Sequence, residues 1–258
     1  MDREATERTR RLLGEDAMRR VESARVLVMG LGGVGSWCAE ALARAGVGAL
    51  GLLDRDVVAR SNLNRQLCAL VSTVGRRKTD VVRERLLDVN PDLRVAVYDV
   101  SYGPETADSV PLGAWDFVVD AIDQVSAKVL LAVRAREAGV RLVSAMGGGN
   151  KLDATRFRAA DLSKTDRCPL AAVMRKKLRR LGIAHGTVVF SDEEPRVPFS
   201  SGGEGRHVAP GTLPTVVGAE GLVLAQTVLA AIAGPPAAPR VCEARDRARR
   251  RRGGSVVV

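Results

Sequence analysis

The sequence predicts a doubly wound α/β fold around a mainly parallel sheet, and three observations carry that prediction. Apolar runs of strand length alternate with stretches of helical spacing from residue 25 to residue 145. With only four Phe, two Trp and two Tyr in the chain, the core must be built from Val, Leu, Ile and Ala, as in buried parallel sheets. The 258 residues suffice for one large domain or for one domain with an appended lobe.

A short helix over 15–22 leads into Arg25-Val26-Leu27-Val28-Met29, an apolar strand that ends at Gly30. Residues 35–46 carry Ala, Leu and Trp37 at helical spacing and stop at Gly46, a C-cap residue. Ala49–Leu53 is the second strand, with Asp54 at its carboxyl end. A helix over 76–89 stops before Asn90-Pro91, because proline disfavours its continuation. Strands follow at 94–98 and 116–120, a helix at 125–138 and a strand at 140–145. Right-handed crossovers then place these strands in one parallel sheet covered on both faces.

Beyond Gly147-Gly148-Gly149 the rhythm changes, which sets an expected boundary near residue 150. Residues 151–158 and 187–191 read as strands and 169–181 as a basic helix. Residues 191–212, rich in Gly, Pro and Ser, read as a long mobile loop. The apolar run 218–233 is interrupted by Glu220 and Gln226, so a packed helix is expected rather than a membrane span. Residues 151–234 thus form an extension, and 235–258 a basic tail expected to be disordered.

Apolar residues make up 46% and charged residues 27%, with mean hydropathy −0.01, which excludes a wholly disordered chain and a polytopic membrane protein. Met1-Asp2-Arg3-Glu4 opens a charged stretch without the apolar segment of a signal peptide, so a cytoplasmic location is expected. Cysteines at 38, 68, 168 and 242 form no C-x-x-C pair, which argues against a structural zinc site. Cys38 reads as core. Cys168, before Pro169 in a basic region, fits a catalytic or a packed thiol, and packing is the commoner fate. His185 and His207 lack partners by spacing and read as surface or loop residues.

The net charge of +10 is uneven: residues 164–180 carry +6 and residues 240–252 carry +5, leaving the remainder near neutral. Two basic segments suit a polyanionic partner such as nucleic acid; a solvated helix face with an arginine tail fits equally well.

Gly30-Leu31-Gly32-Gly33-Val34-Gly35 satisfies G-x-G-x-x-G between a strand and a helix, so backbone N–H groups at the helix start are placed for phosphate. Asp54 is placed to accept from a ribose. On its own, this pattern describes a nicotinamide-dependent oxidoreductase or a redox-sensing module. The residues beyond Asp54 favour a different chemistry. Asp56, Ser61-Asn62-Leu63-Asn64-Arg65-Gln66, Lys78 on the next helix and Asp120-Ala121-Ile122-Asp123 at the end of the fourth strand converge on the same side, where the strand ends of an open α/β sheet share one crevice. Two cations and an extra carboxylate at the phosphates suit attack on an α-phosphate, which builds negative charge, and suit a bound Mg²⁺.

Together these motifs resemble the ubiquitin-activating-enzyme superfamily, whose members adenylate carboxylates with ATP and Mg²⁺ on a Rossmann-like fold. The likeness is greatest to the branch that dehydrates threonylcarbamoyladenosine in tRNA. It rests also on Arg8–Gly14, Ser126-Ala127-Lys128, Ala159–Thr165 and Cys168-Pro169-Leu170, and covers roughly residues 8–233. The resemblance implies that Asp54 binds ribose, that Arg65 and Lys78 bind phosphates, and that Asp123 holds magnesium. It implies that Gly30, Gly32, Gly33, Gly35, Asp56, Asn62 and Gln66 complete the ATP site, and that Arg11 reaches into a partner subunit's site. A homodimer acting on tRNA is implied in turn, with Thr212 and Pro214 near the site entrance and sulfur-relay proteins as further partners. Some superfamily members instead activate the C-terminal glycine of a ubiquitin-like sulfur carrier, which is the alternative substrate. Those relatives often carry paired C-x-x-C motifs, which are missing here.

Overall fold

In the computed structural model, residues 1–196 and 210–234 are described. Five strands occupy the expected places: β1 (Arg25–Met29), β2 (Ala49–Leu53), β3 (Arg94–Tyr98), β4 (Phe117–Asp120) and β5 (Arg141–Ala145). Two more join the same sheet, β6 (Phe157–Asp161) and, at the expected 187–191, β7 (Thr187–Ser191); the sheet order is β3-β2-β1-β4-β5-β7-β6. Every neighbouring pair is parallel except β6 with β7. The helices are α1 (Arg3–Leu13), α2 (Glu15–Ser23), α3 (Gly35–Arg44), α4 (Lys78–Val89), α5 (Val125–Glu137), α6 (Pro169–Arg180) and α7 (Pro214–Ala233).

Alternation along the strands builds a core on each face of the sheet. Val26, Val28, Leu50, Leu52 and Val119 turn toward Leu42 of α3, Val82 of α4 and Leu224 of α7. Leu27, Met29, Leu53 and Val118 turn the other way, toward Leu131 of α5 and Trp115. Each buried Val or Leu of this kind contributes about 1.5–3 kcal/mol. A third cluster seats Met174 and Leu178 of α6 on Val188 and Phe190 of β7. Helix α7 is long and apolar enough to cross a membrane, yet half of that stretch is buried within the fold.

Several elements depart from the sequence expectation. No apolar stripe indicates helix α1. It is capped by the Asp2 carboxylate on the Glu4 N–H and held to α2 by Arg10, which pairs with Glu15 and Glu22. The strand expected at 151–158 lies instead at Phe157–Asp161. Residues 151–153 cannot enter the sheet because Lys151 donates to the Ser191 carbonyl, while the Leu152 and Asp153 N–H groups go to the Glu193 carboxylate. Helix α7 begins at Pro214, before the strongly apolar run, with proline in the first turn where its missing N–H costs nothing. Of the expected mobile loop 191–212, residues 197–209 lie outside the described residues, as do His207, Cys242 and the whole 235–258 tail.

Strand order reverses between β1 and β4, so the chain departs in opposite directions from their neighbouring carboxyl ends. That divergence opens a crevice, the usual ligand position in open α/β sheets. Gly30, Asp54, the Asp120 turn and Gly147 all stand at this edge.

Candidate active site at the carboxyl edge of the sheet

The Gly30–Gly35 loop is shaped by two backbone approaches that exclude a side chain. Gly30 has φ +91°, and a Cβ there would lie 2.6 Å from the Ala121 carbonyl oxygen. A Cβ on Gly35 would fall 1.7 Å from the Gly30 carbonyl oxygen. The loop therefore turns tightly against the β4 turn before α3 starts. Among the described residues, the N–H groups of Gly32, Gly33 and Val34 have no intramolecular acceptor. Together with the α3 dipole they form an anion cradle.

Asp54 is nearly buried and serves as the corner of the crevice. Its Oδ2 accepts the Leu31 N–H at 2.7 Å, and its Oδ1 accepts the Asp56 N–H at 2.9 Å. Lys78, at the first position of α4, is 4% exposed; its Nζ lies 2.8 Å from Asp56 Oδ2 and 3.8 Å from Asp54 Oδ1. The structure thus brings together the phosphate loop, Asp54, Asp56 and Lys78.

Arg65 stands over the same loop. Its Cγ is 3.2 Å from where a Gly33 Cβ would be, and its guanidinium donates to the Ser61 carbonyl at 2.8 Å. No carboxylate among the described residues pairs with it. Two residues of α3 fix its backbone: Trp37 Nε1 donates to the Arg65 carbonyl at 3.2 Å, and Ser36 Oγ accepts the Leu67 N–H at 3.1 Å. Asn62 caps its own turn by accepting the Ala59 N–H at 3.0 Å. Gln66 is buried beside Gly32, with its Oε1 lacking a partner among the described residues.

The β4 turn buries one of its two aspartates and exposes the other. Asp120 and Lys128 are both fully buried and lie 3.0 Å apart. Lys128 also donates to the Ile122 carbonyl at 3.1 Å, and Asp120 accepts the Ile122 N–H at 3.2 Å. Asp123, at the end of this braced turn, is exposed and forms no ion pair among the described residues. No cluster of three metal-ligating side chains occurs among the described residues.

The remaining candidates stand apart. Arg11 is exposed on α1, pairs with Glu7, and makes no hydrogen bond to the crevice residues. Cys168 is buried and donates to the Met146 carbonyl at 3.3 Å, the geometry of a packed thiol. Burial pushes the Cys38 thiol far up. His185 lies on the surface, 3.2 Å from Asp161. Helix α6 carries Lys176, Arg179 and Arg180 around one groove; Arg175 also lines it but is tied to the Thr165 carbonyl and hydroxyl.

Three supporting residues escape sequence reasoning. Trp37 reads there as packing alone, and Lys128 only as part of a motif. Glu220 counts there as an interruption of an apolar run, yet it is fully buried, and its Oε1 accepts the Gly147 N–H at 2.8 Å.

A Gly-rich loop with open N–H groups, a strand-end carboxylate and two cations at a sheet switch point define a nucleotide-binding α/β protein built for chemistry at phosphates. The chain belongs to the ThiF family, whose sequence profile matches residues 6–248. It is 44% identical over 186 residues to the tRNA threonylcarbamoyladenosine dehydratase of Bacillus subtilis, covering 72% of this chain and 73% of that one. The crystal structure of the Escherichia coli enzyme TcdA with AMP superposes with a TM-score of 0.82 at 36% identity, covering 89% of this chain and 94% of that one. The TcdA structure with ATP gives 0.81 at 33% identity, covering 98% and 97%.

Proposed function

We propose that this chain catalyses the ATP-dependent dehydration of N6-threonylcarbamoyladenosine in tRNA to its cyclic form. The observation that carries the reading is the crevice itself: an anion cradle with Asp54, Lys78 and Arg65 around it, in a chain that aligns nearly end to end with an ATP-bound dehydratase. In this reading residues 1–150 bind and activate with ATP, and residues 151–234 present the acceptor.

The threonyl carboxylate attacks the α-phosphate; a P–O bond forms, and the bond to the leaving pyrophosphate breaks. A carbamoyl atom then closes on the activated carboxyl carbon, the C–O bond to AMP breaks, and one proton is released. The net change to the nucleoside is loss of water. Gly32, Gly33 and Val34 hold phosphate oxygens through their N–H groups. Asp54, whose position is set by two N–H donors, accepts from the ribose hydroxyls. Lys78 and Arg65 stabilise charge that develops on the phosphates, the role for which fixed cations are most effective. Gln66 and Asp56 line the site, with Asp56 holding Lys78 in place. Ring closure is intramolecular, so holding the modified base in position supplies much of the rate.

Asp123 suits Mg²⁺. It is a hard oxygen donor, exposed, on a turn packed against the phosphate loop, and Mg²⁺ characteristically binds through one or two carboxylates plus substrate phosphates and water. There the ion would neutralise phosphate charge.

Two further parts of the reading concern partners. Val57, Leu63, Leu70 and Val71 are exposed apolar residues close in sequence to Arg65, and Leu12 beside Arg11 is 83% exposed. Such surfaces suit pairing of two copies, with Arg11 of each serving the other's site. Lys176, Arg179 and Arg180 suit tRNA phosphates, and a cytoplasmic location fits that substrate.

The test incubates the protein with ATP, Mg²⁺ and tRNA bearing threonylcarbamoyladenosine, then examines nucleosides by mass spectrometry under mild digestion. Loss of one water with ATP-dependent AMP release supports the reading. AMP formed only with a small sulfur-carrier protein overturns the substrate. Neutralising Lys176, Arg179 and Arg180 is expected to lower the slope of log affinity against log salt by roughly one for each phosphate that is no longer neutralised. An unchanged slope removes α6 from the tRNA surface.

A further inference from the structure

Glu220 is fully buried in α7, an otherwise apolar helix, and only half of its carboxyl group is partnered. Oε1 accepts the Gly147 N–H at 2.8 Å. Oε2 has no hydrogen-bond partner among the described residues, and it lies 3.2 Å from where a Cβ on Gly148 would stand. A buried carboxylate oxygen without a donor is costly, so an unstrained packing helix would carry an apolar residue here.

Two charged groups act on this carboxyl: Lys128 from α5, and Lys151 from the segment after β5. In the other elements packed against α7, namely α2, α3, β5, β6, β7 and the turn Ala154–Arg156, the charged side chains are engaged away from this carboxyl: Arg20 with the Ile232 and Ala233 carbonyls, Glu40 with Arg44 and Arg85, and Arg156 with Asp192. Both lysines are engaged elsewhere, Lys128 with Asp120 and the Ile122 carbonyl, Lys151 with the Ser191 carbonyl at 2.8 Å. Neither donates to Oε2.

The position of Glu220 joins two parts of the crevice. Next to it in α7, Gly221 packs against the Val34 carbonyl at the start of α3, and Val217 packs against Gly33 of the phosphate loop. On the other side, Gly147 opens the segment that continues to Asn150. Asn150 accepts the Arg196 N–H at its carbonyl (2.8 Å), donates its own N–H to the Gly211 carbonyl (2.8 Å) and accepts the Gly211 N–H at Oδ1 (2.7 Å). One helix therefore touches the nucleotide loop through Gly221 and Val217, and the post-β5 segment through Val216 packed at Gly148 and through the hydrogen-bonded Glu220 carboxyl.

We propose that Glu220 is a positioning residue for the acceptor: through Gly147 it holds the Gly147–Asn150 segment in register with the phosphate loop, and the hold tightens when the carboxyl group is ionised. This rests on the dehydratase reading above. A carboxylate accepts an N–H more strongly than a neutral carboxyl does. Burial, only partly offset by the Gly147 N–H and the two lysines, pushes the group up to about 7, so it titrates in the working range.

The test compares wild type with Glu220→Gln, which keeps a carbonyl oxygen for Gly147 but cannot ionise, from pH 6 to pH 8. For wild type, kcat/KM for modified tRNA is expected to rise about tenfold, the ratio of ionised fractions at these limits for a group titrating near 7. The variant is expected to give a profile lacking that inflection and to fall at least about tenfold below wild type at pH 8. KM for ATP is expected to stay within about twofold at both limits, which a general loss of structure would not permit. Retention of the inflection in Glu220→Gln overturns the proposal, as does a parallel loss in KM for ATP. If the variant does not fold, the wild-type profile decides, because a flat kcat/KM for tRNA across pH 7 is equally fatal. A wild type that never dehydrates the nucleoside overturns the underlying reading as well. An active wild type with an unaltered variant profile overturns this inference alone.

Discussion

The buried carboxyl of Glu220 has a thermodynamic consequence that needs neither tRNA nor ATP. The group ordinarily titrates at 4.5 and is pushed up to about 7 in the fold, chiefly by burial, which holds it at full occlusion from solvent. Because the folded state keeps the proton longer than the unfolded chain, Glu220 contributes stability that is fully present below 4.5 and lost as pH rises through 7. Between pH 5 and pH 8 that loss amounts to about 2–3 kcal/mol, each tenfold change being worth roughly 1.4 kcal/mol. Glu220→Gln removes the ionisation while keeping the shape of the side chain. Its unpartnered amide adds a cost that is the same at both pH values, so it cancels from the difference. Relative to wild type, the variant should therefore gain about 2–3 kcal/mol on going from pH 5 to pH 8, or roughly 5–10 °C in Tm for a chain of this size. Urea denaturation of both proteins at the two pH values measures it, with other titrating groups cancelling between them. If the two proteins lose or gain stability in parallel across this range, Glu220 ionises normally and the reasoning fails.

Other perturbations separate chemistry from scaffold. Lys78→Met leaves Asp54 its two N–H donors and Asp56 its exposure, so stability should fall by only about 1–3 kcal/mol. Pyrophosphate release should fall about 10²–10³-fold, and comparable losses in melting and activity assays would make Lys78 structural. Asp123→Asn should leave Tm within about 2 °C, because the carboxylate is exposed and unpaired among the described residues. The Mg²⁺ concentration for half-maximal turnover should rise about tenfold or more, and an unchanged metal requirement removes Asp123 from the metal. Lys128→Met strands Asp120 as a fully buried carboxylate and should cost about 3–5 kcal/mol in urea denaturation. Adding Asp120→Asn should restore part of that loss; no restoration would mean that the two do not act as a pair.

How much of the fold is legible in the sequence depends on how far along the chain the cause lies. The five central strands and the phosphate loop come through because their signals are local: apolar runs, a glycine after β1, an aspartate after β2. Helix α1 does not, although Asp2 stands as an N-cap before it. Its faces are charged, and its docking depends on Arg10 meeting Glu15 and Glu22 rather than on an apolar stripe. The displaced sixth strand has a more distant cause, since the Glu193 carboxylate that claims the Leu152 and Asp153 N–H groups is some forty residues away.

The site shows the same division, and it explains why its supporting residues stay hidden. Asp54, Lys78, Arg65 and Asp123, the candidates proposed for it, are recognisable from residue type and order, because a phosphate site calls for charged residues around the carboxyl ends of the strands. Trp37, Lys128 and Glu220 act through backbone groups of other segments, and a backbone group has no letter in the sequence. Glu220 reaches Gly147 across 73 residues, and nothing in the intervening chain marks the partnership. A glutamate in an apolar run reads as an argument against membrane insertion, which is correct but incomplete. Once α7 is packed on α3, the same residue has one oxygen bonded and one without a partner among the described residues, with both lysines that act on it bonded elsewhere. That arrangement lowers stability as pH rises, and so glutamine should gain stability on wild type between pH 5 and pH 8 while losing turnover relative to it over the same rise. Opposite trends of the two effects with pH, in one pair of proteins, are what separate a residue that positions an acceptor from one that merely fills a core.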